Sequence, residues 1–234
     1  MLPIKSRLRR KRDPDSTRIT ILEAAKTILA QDGAEGLSVS SVAKLAGVNR
    51  GTAYQHFQMK EDLVRATLDW VSHQLLDAVF EGWDAEGERP EGFPEPDLEH
   101  LPDVIDSMSS FNLRLAEYAI DNPDIGRIWL YDVLSRRNPK DDVFYKRFEL
   151  ALKEMASSDA TKNDMDTEVL AVLMLTGYFL WPVWVRSHAS SKKERKVMAQ
   201  RFANEVMRLA MHGVFSVDIN ARLRTQPKRN RTTP

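Results

Sequence analysis

The segment that decides the fold of the N-terminal part of the chain is residues 38–57, SVSSVAKLAGVNRGTAYQHF. Ser38 is a residue type that caps helices well, and a short run with helical apolar spacing follows it. Gly47 tolerates a positive φ and is therefore expected to end this first short helix. Asn49 is expected to cap a second short helix that reaches Phe57. Two short helices joined by a tight turn that contains glycine predict a helix-turn-helix.

A longer helix is predicted on each side of this segment. Asp13-Pro14 is typical of a helix start, and apolar residues then recur at helical spacing until Asp32-Gly33. Another helix is predicted from about Lys60 to Phe80. One helix followed by two short ones is the arrangement in which the last short helix enters the major groove of DNA.

The outer face of that last helix must be small and polar if it is to approach base edges, and its neighbours must offer donors to the phosphates. Residues 50–55 fit the first requirement, whereas Val48 and Phe57 are expected to face the core. The ten predicted DNA-binding residues are Ser38, Ser40, Asn49, Arg50, Thr52, Ala53, Tyr54, Gln55, His56 and Lys60.

The same stretch resembles the signature of the TetR (tetracycline repressor)/AcrR family of transcriptional regulators. The resemblance lies in Val-Ala at 42–43, Ala-Gly-Val at 46–48, Tyr-x-His-Phe at 54–57 and Lys-Glu-x-Leu at 60–63. It implies an all-α fold, in which an N-terminal three-helix DNA-binding domain precedes a larger helical-bundle domain for ligand binding and dimerisation. It also implies that Tyr54, His56 and Lys60 contact phosphates.

Charge is distributed unevenly although its sum is zero. Residues 1–60 carry 11 Lys and Arg against 5 Asp and Glu, whereas residues 61–217 carry 18 against 28. A basic head on an acidic body favours binding of a polyanion by the head alone. We therefore expect double-stranded operator DNA as a partner, and contact of the basic N-terminal arm with that DNA stays open.

Four regions are predicted along the chain. They are a basic disordered arm at 1–14, the DNA-binding domain at 15–60, a helical effector-binding and dimerisation domain at 61–217 and a basic tail at 218–234. Residues 82–100 hold three Gly, three Pro and seven acidic residues, so they are expected to break the helical pattern. The helices predicted after this break are 104–120, 124–135, 141–155, 167–188 and 192–215.

Aromatic and Met side chains in the second domain favour an apolar ligand cavity among helices 104–120, 141–155 and 167–188. Because residues 169–185 carry no charge, we expect a neutral or amphipathic, largely hydrophobic effector. Seventeen residues are short for a span, so this run is read as a buried helix and no membrane partner is expected. The predicted ligand-binding residues are Met108, Phe111, Asn112, Leu115, Tyr118, Trp129, Phe144, Phe148, Met174, Tyr178 and Trp181.

Small residues on the last two predicted helices permit a close approach of another helix. The family resemblance implies that these helices pair with those of a second copy to form a homodimer. Packing within one chain is the alternative for the same stripe. The predicted interface residues are Gly177, Ala199, Ala203, Val206, Ala210 and Gly213.

Motifs for catalysis or cofactor binding are missing from the sequence. It has no cysteine, no GxSxG, HExxH, P-loop or GxGxxG, and its histidines lack metal-ligand spacing. We therefore predict a non-enzyme without cofactor or metal, and the basic N-terminus without an apolar stretch predicts a cytoplasmic protein. The predicted function is a repressor that a small hydrophobic effector releases from its operator. An activator and a helical protein-interaction adaptor are the alternatives.

Overall fold

The computed structural model describes residues 14–80, 101–158, 161–162 and 164–214. Throughout these ranges the regular elements are helices, which confirms the predicted all-α class. The chain divides into two compact units, Met1–Val71 and Ser72–Pro234. Residues 1–13 of the predicted basic arm (1–14), the acidic break at 82–100 and the basic tail at 218–234 lie outside the described residues.

The first unit contains α1 (Pro14–Gly36), α2 (Val39–Leu45), α3 (Arg50–His56) and the beginning of α4 (Lys60–Val79). Helix α1 keeps helical geometry up to Gly33, whose φ of 69° interrupts it where the sequence predicted its end. The apolar faces of the four helices share one core. Its most buried side chains include Ile21, Ala25, Val42, Ala53, Phe57, Leu63 and Val71.

The division between the units falls inside α4, beyond the domain limit predicted at residue 60. The first half of α4 buries Leu63, Thr67 and Val71 completely. The Nζ atom of Lys26 on α1 lies 5.1 Å from the centroid of the Trp70 ring. Because these side chains are needed to close the core of the first unit, that unit extends about three helical turns further than predicted.

The second unit contains the end of α4 and five longer helices. These are α5 (Leu101–Asp121), α6 (Pro123–Ser135), α7 (Val143–Ala156), α8 (Thr167–His188) and α9 (Lys192–Gly213). A single 3-10 turn, Pro139–Asp141, precedes α7. The predicted helices agree with these bounds to within a few residues, apart from Phe215, which lies outside the described residues.

An aromatic cluster forms the centre of the second unit. The rings of Trp129 and Phe144 meet edge to face with 5.7 Å between centroids, and Trp129 lies 4.9 Å from Phe179. Gly126 on α6 permits this packing, since a Cβ there would lie 2.8 Å from Cδ1 of Phe179. Helices α6, α7 and α8 are thereby held together.

Helix α9 lies along α5, and two residues of the small-residue stripe are buried inside the single chain. Ala199 and Ala203 are buried within the single chain, so their assignment to a dimer interface is wrong. Gly177 also faces inward, since a Cβ there would lie 3.2 Å from Cζ of Phe202. Small side chains let α9 approach its own domain closely, which is the alternative that the sequence left open.

Candidate nucleic-acid interface and ligand cavity

Caps set the geometry of the two short helices. Ser38 Oγ accepts a hydrogen bond from Ser41 N at 3.0 Å, and Ser38 N donates to Ser41 Oγ at 3.0 Å, which completes a capping box. Gly47 has a φ of 62°, as predicted for the residue that ends α2. Asn49 Oδ1 accepts from Gly51 N at 2.8 Å, so the predicted cap of α3 is confirmed.

A polar cluster around Tyr54 joins α3 to α2 on the surface. Side-chain hydrogen bonds with Ser40 and, to a smaller extent, with Arg50 lower the pKa of Tyr54. The guanidinium carbon of Arg50 lies 5.7 Å from the centroid of the Tyr54 ring. The cluster therefore presents a cation and a preoriented hydroxyl on one exposed surface.

Most of the predicted DNA-binding residues lie at the surface of α2, α3 and the start of α4. Ser38, Asn49, Arg50, Tyr54 and Gln55 are exposed, and Ser40, Thr52, His56 and Lys60 are half-buried. The side chain of Lys60 turns back, and its Nζ donates to the backbone oxygen of Glu35 at 3.4 Å.

Ala53 is the exception among the predicted DNA-binding residues. It is 0% exposed, so its assignment to the DNA-binding surface is wrong. At helical spacing, residues 50, 54 and 55 share the outer face, and residue 53 turns toward the core between α2 and α3. The structure adds Lys44 and Leu45 on α2 to the exposed surface of the same motif. Their position at the end of α2, directly before the Gly47 turn, is a signal that the sequence already carried.

A cavity of about 820 Å³ opens in the second unit among α5, α7, α8 and α9. Its wall is mostly apolar, and Met108, Met155, Met165 and Met174 contribute flexible thioether side chains. Such a wall adapts to ligands of different shape.

Five of the eleven predicted ligand-binding residues line the cavity. They are Met108, Phe111, Asn112, Phe148 and Met174. The other six predicted ligand-binding residues do not line this cavity. Leu115, Trp129, Phe144 and Tyr178 are buried elsewhere in the core, while Tyr118 and Trp181 are half-buried away from it.

The polar groups of Asn112 and Tyr178 are occupied by protein partners. Tyr178 Oη donates to Asn112 Oδ1, and Asn112 Nδ2 donates to Met108 O at 2.8 Å and contacts Met207 Sδ at 3.2 Å. Burial raises the pKa of Tyr178. In the cavity, the Asn112 amide is therefore already part of an internal hydrogen-bond network. The sequence had predicted that Asn112 and Tyr178 would both contact the ligand.

Charged side chains occur at the mouth of the cavity. Arg114, Asp166 and Glu205 are exposed, and Glu154 is half-buried. Asp166 Oδ1 accepts from Val169 N at 3.0 Å as the cap of α8, and Glu205 pairs with Arg208. Arg114 Nη2 donates to the backbone oxygen of Val79 at 3.4 Å, at the end of α4.

Helix α9 supplies part of the cavity wall that sequence reasoning missed. Phe202, Val206, Leu209 and Ala210 all line the cavity, and so does Gly213. Their spacing of three or four residues is a helical stripe that the sequence carried. The sequence analysis assigned small residues of this stripe to a dimer interface, so the contribution of α9 to a cavity within one chain was not predicted.

The model of the family described as "Bacterial regulatory proteins, tetR family" matches residues 21–67, which comprise most of the first unit. TtgR, an HTH-type transcriptional regulator of Pseudomonas putida, is 36% identical over 80 residues, covering 34% of this chain and 38% of TtgR. KstR2, an HTH-type transcriptional repressor of Mycolicibacterium smegmatis, is 37% identical over 73 residues, covering 28% of this chain and 36% of KstR2. The matched segment thus spans little more than a third of either relative.

Solved structures extend the similarity of fold beyond this segment. A TetR family transcription regulator from Marinobacter aquaeolei has a TM-score of 0.61 at 20% identity, covering 81% of this chain and 95% of the other. The ketosteroid transcriptional regulator KstR2 of Mycobacterium tuberculosis has a TM-score of 0.54 at 16% identity, covering 92% and 97%. At such identity the likeness concerns the fold alone. Residues 21–67 thus resemble the tetR family of bacterial regulatory proteins, and beyond them the similarity is one of fold.

Proposed function

We propose that the protein is a dimeric, sequence-specific transcription repressor of the cytoplasm, released from operator DNA by a small hydrophobic effector. The observation that supports DNA binding best is the cluster of half-buried Ser40 with exposed Arg50 and Tyr54 on a capped helix-turn-helix. A two-fold dimer would present two α3 helices to half-sites about one helical turn of DNA apart. Phosphate contacts would provide affinity and side chains of α3 would read bases.

The cavity in the second unit supports a role for an effector. Its charged residues lie at the mouth, and its wall is built from apolar and Met side chains. An apolar or amphipathic molecule without a net negative charge fits this distribution, because the three carboxylates outnumber Arg114. The repressor function requires the effector to prefer the conformer that does not fit the operator.

Helix α4 offers a physical route for that preference. It runs from Lys60 to Val79 as one helix, and Phe80 directly after it lines the cavity. Arg114 also lines the cavity and binds the last carbonyl of α4. A ligand that displaces either residue acts on the end of the helix whose beginning belongs to the DNA-binding motif.

Selection of DNA sequences by the full-length protein, followed by anisotropy titrations at moderate salt, tests the proposal. We expect the selected operator to bind on the order of a thousand-fold more tightly than scrambled DNA. Equal affinity for both would contradict specific binding and would favour a protein-interaction adaptor. A reporter gene behind the operator separates a repressor, which lowers expression, from an activator, which raises it.

A further inference from the structure

The outer faces of α8 and α9 form a surface that is apolar along α8 and mixed along α9, where Val197 and Leu209 are exposed beside polar side chains. Eight large apolar side chains on it are 43–66% exposed in the single chain. We call this surface the α8–α9 patch. It consists of Val169, Val172, Leu173, Leu180, Val183, Trp184, Val197 and Leu209.

Helix α8 is apolar on all sides. Its inner face buries Leu175, Tyr178, Phe179 and Val185, while the opposite face belongs to the α8–α9 patch. A helix that is hydrophobic all round is normally covered on all sides. By length and composition alone α8 is also apolar enough to cross a membrane.

A second copy of the chain is the occupant that fits the α8–α9 patch. A standard protein interface takes roughly 800 Å² from each partner. Eight large apolar side chains that are each 43–66% exposed supply much of such a surface. A two-fold interface places a surface against itself, so that surface must not repel its own copy. Residues 169–185 are uncharged, and Glu205 and Arg208 beside Leu209 neutralise each other in an ion pair.

The mouth of the ligand cavity opens within the same patch. Val169, Leu173 and Leu209 line the cavity and are nevertheless 52%, 66% and 59% exposed. A ligand that contacts these side chains in one chain therefore keeps part of its surface in water. Small-molecule sites usually bury roughly 70–90% of their ligand, so this site lacks a cover.

We propose that a second copy of the chain completes the ligand site by covering the cavity mouth at Val169, Leu173 and Leu209. This inference rests on the dimer and the effector cavity of the proposed function. It adds that the dimer interface covers the mouth of the effector cavity. Because the covering surface removes ligand area from water, ligand binding strengthens dimerisation. By linkage, dimerisation strengthens ligand binding by the same factor.

The test separates the patch from the cavity with variants that touch one and not the other. Trp184→Glu places a charge in the α8–α9 patch, and Trp184 does not line the cavity. Val183→Lys is a second such variant, in case the first does not fold. Leu134→Glu is the matched control, because Leu134 is 84% exposed on α6, outside both the patch and the cavity wall.

Sedimentation velocity and titration with Nile red, a neutral apolar dye, provide the two readouts, and circular dichroism confirms folding. We expect a dimer that binds Nile red for the wild type and Leu134→Glu. For Trp184→Glu or Val183→Lys we expect a folded monomer that binds the dye at least ten-fold more weakly. The dye should also lower the dimer dissociation constant of the wild type at least ten-fold.

Three results would overturn the inference. A monomeric Trp184→Glu that binds Nile red as tightly as the wild-type dimer would show that one chain completes the site, while leaving the proposed function intact. If the wild type stays monomeric, or if it floats with phosphatidylcholine vesicles because the α8–α9 patch binds them, a second copy is not the occupant of the patch. Either result would also contradict the proposed dimeric repressor. A wild-type dimer that binds no Nile red would contradict the ligand site itself.

Discussion

Trp129 Nε1 donates a hydrogen bond to Oδ1 of Asp142 at 2.9 Å in the core of the second unit. Asp142 is 1% exposed, and its other oxygen accepts from Ser72 Oγ at 2.5 Å. It also caps α7 by accepting from Tyr145 N at 2.9 Å. One buried carboxylate therefore joins α4, α6 and α7, and its charge is offset by these donors and by the nearby Arg136.

We predict that Asp142→Ala lowers the free energy of unfolding by about 2–4 kcal/mol, because it removes a cap and leaves buried donors without an acceptor. Asp141→Ala is the matched control, since Asp141 is exposed and its contact with Lys146 is 3.9 Å long. It should change stability by less than about 0.5 kcal/mol. Urea unfolding followed by circular dichroism measures both, and equal effects would contradict the role of Asp142.

The buried position of Ala53 predicts a packing defect for a larger side chain there. Ala53→Leu should destabilise the protein by about 1–3 kcal/mol, because the core between α2 and α3 has no room for it. Gln55→Leu, on the exposed face of α3, should change the free energy of unfolding by less than about 0.5 kcal/mol. Thermal melts of both variants measure the difference. A stable Ala53→Leu with altered operator sequence preference would instead place residue 53 at the bases.

Tyr54→Phe is predicted to weaken DNA binding about 2–10-fold, which corresponds to one hydrogen bond. The loss should be the same for operator and scrambled DNA, since a hydroxyl oriented by Ser40 and Arg50 contacts phosphate in the proposed function. Fluorescence anisotropy with both DNAs measures this, and Tyr131→Phe, at an exposed tyrosine of α6, is the control. Loss confined to the operator would indicate a base contact.

Glu194 predicts a pH dependence of stability. Hydrogen bonds from the backbone of Ser191 and Ser190 lower the pKa of Glu194 to about 2, in the capping box of α9. A lowered folded-state pKa means that the stabilisation is complete above the unfolded value near 4.5 and is lost as the pH falls toward 2. The melting temperature of the wild type should thus fall more steeply between pH 5 and 2 than that of Glu194→Gln. Parallel curves would contradict this role.

The cavity predicts that a larger ring at Phe111 competes with ligand. Phe111 lines the cavity between Phe80 and Phe148, with ring centroids at 5.3 and 6.2 Å. Phe111→Trp should fill part of the space and weaken Nile red binding at least several-fold. Leu150→Trp is the control, because Leu150 is on α7 but outside the cavity wall. Unchanged dye affinity in Phe111→Trp would place the dye elsewhere.

The caps and helices of the first unit, though not its boundary inside α4, were predictable almost to the residue because their signals are local. Ser38, Gly47 and Asn49 act on backbone groups within three or four residues, so their roles as caps and turn follow from residue type and position alone. The same local patterns predicted the helices of the second unit. The resemblance at 42–63 predicted a family for this segment, and the family model matches residues 21–67.

The orientation of helix faces was decided only by the tertiary structure. Ala199 and Ala203 have the small side chains expected at an interface between copies, but they pack inside one chain because α9 lies along α5. Trp129 and Tyr178 have the aromatic rings expected in a ligand cavity, but they find partners in Asp142 and Asn112. An apolar helix such as α8 offers every face to burial, and composition does not state which face meets the core, the cavity or a second copy. That choice depends on contacts between residues far apart in the chain, which local periodicity does not encode.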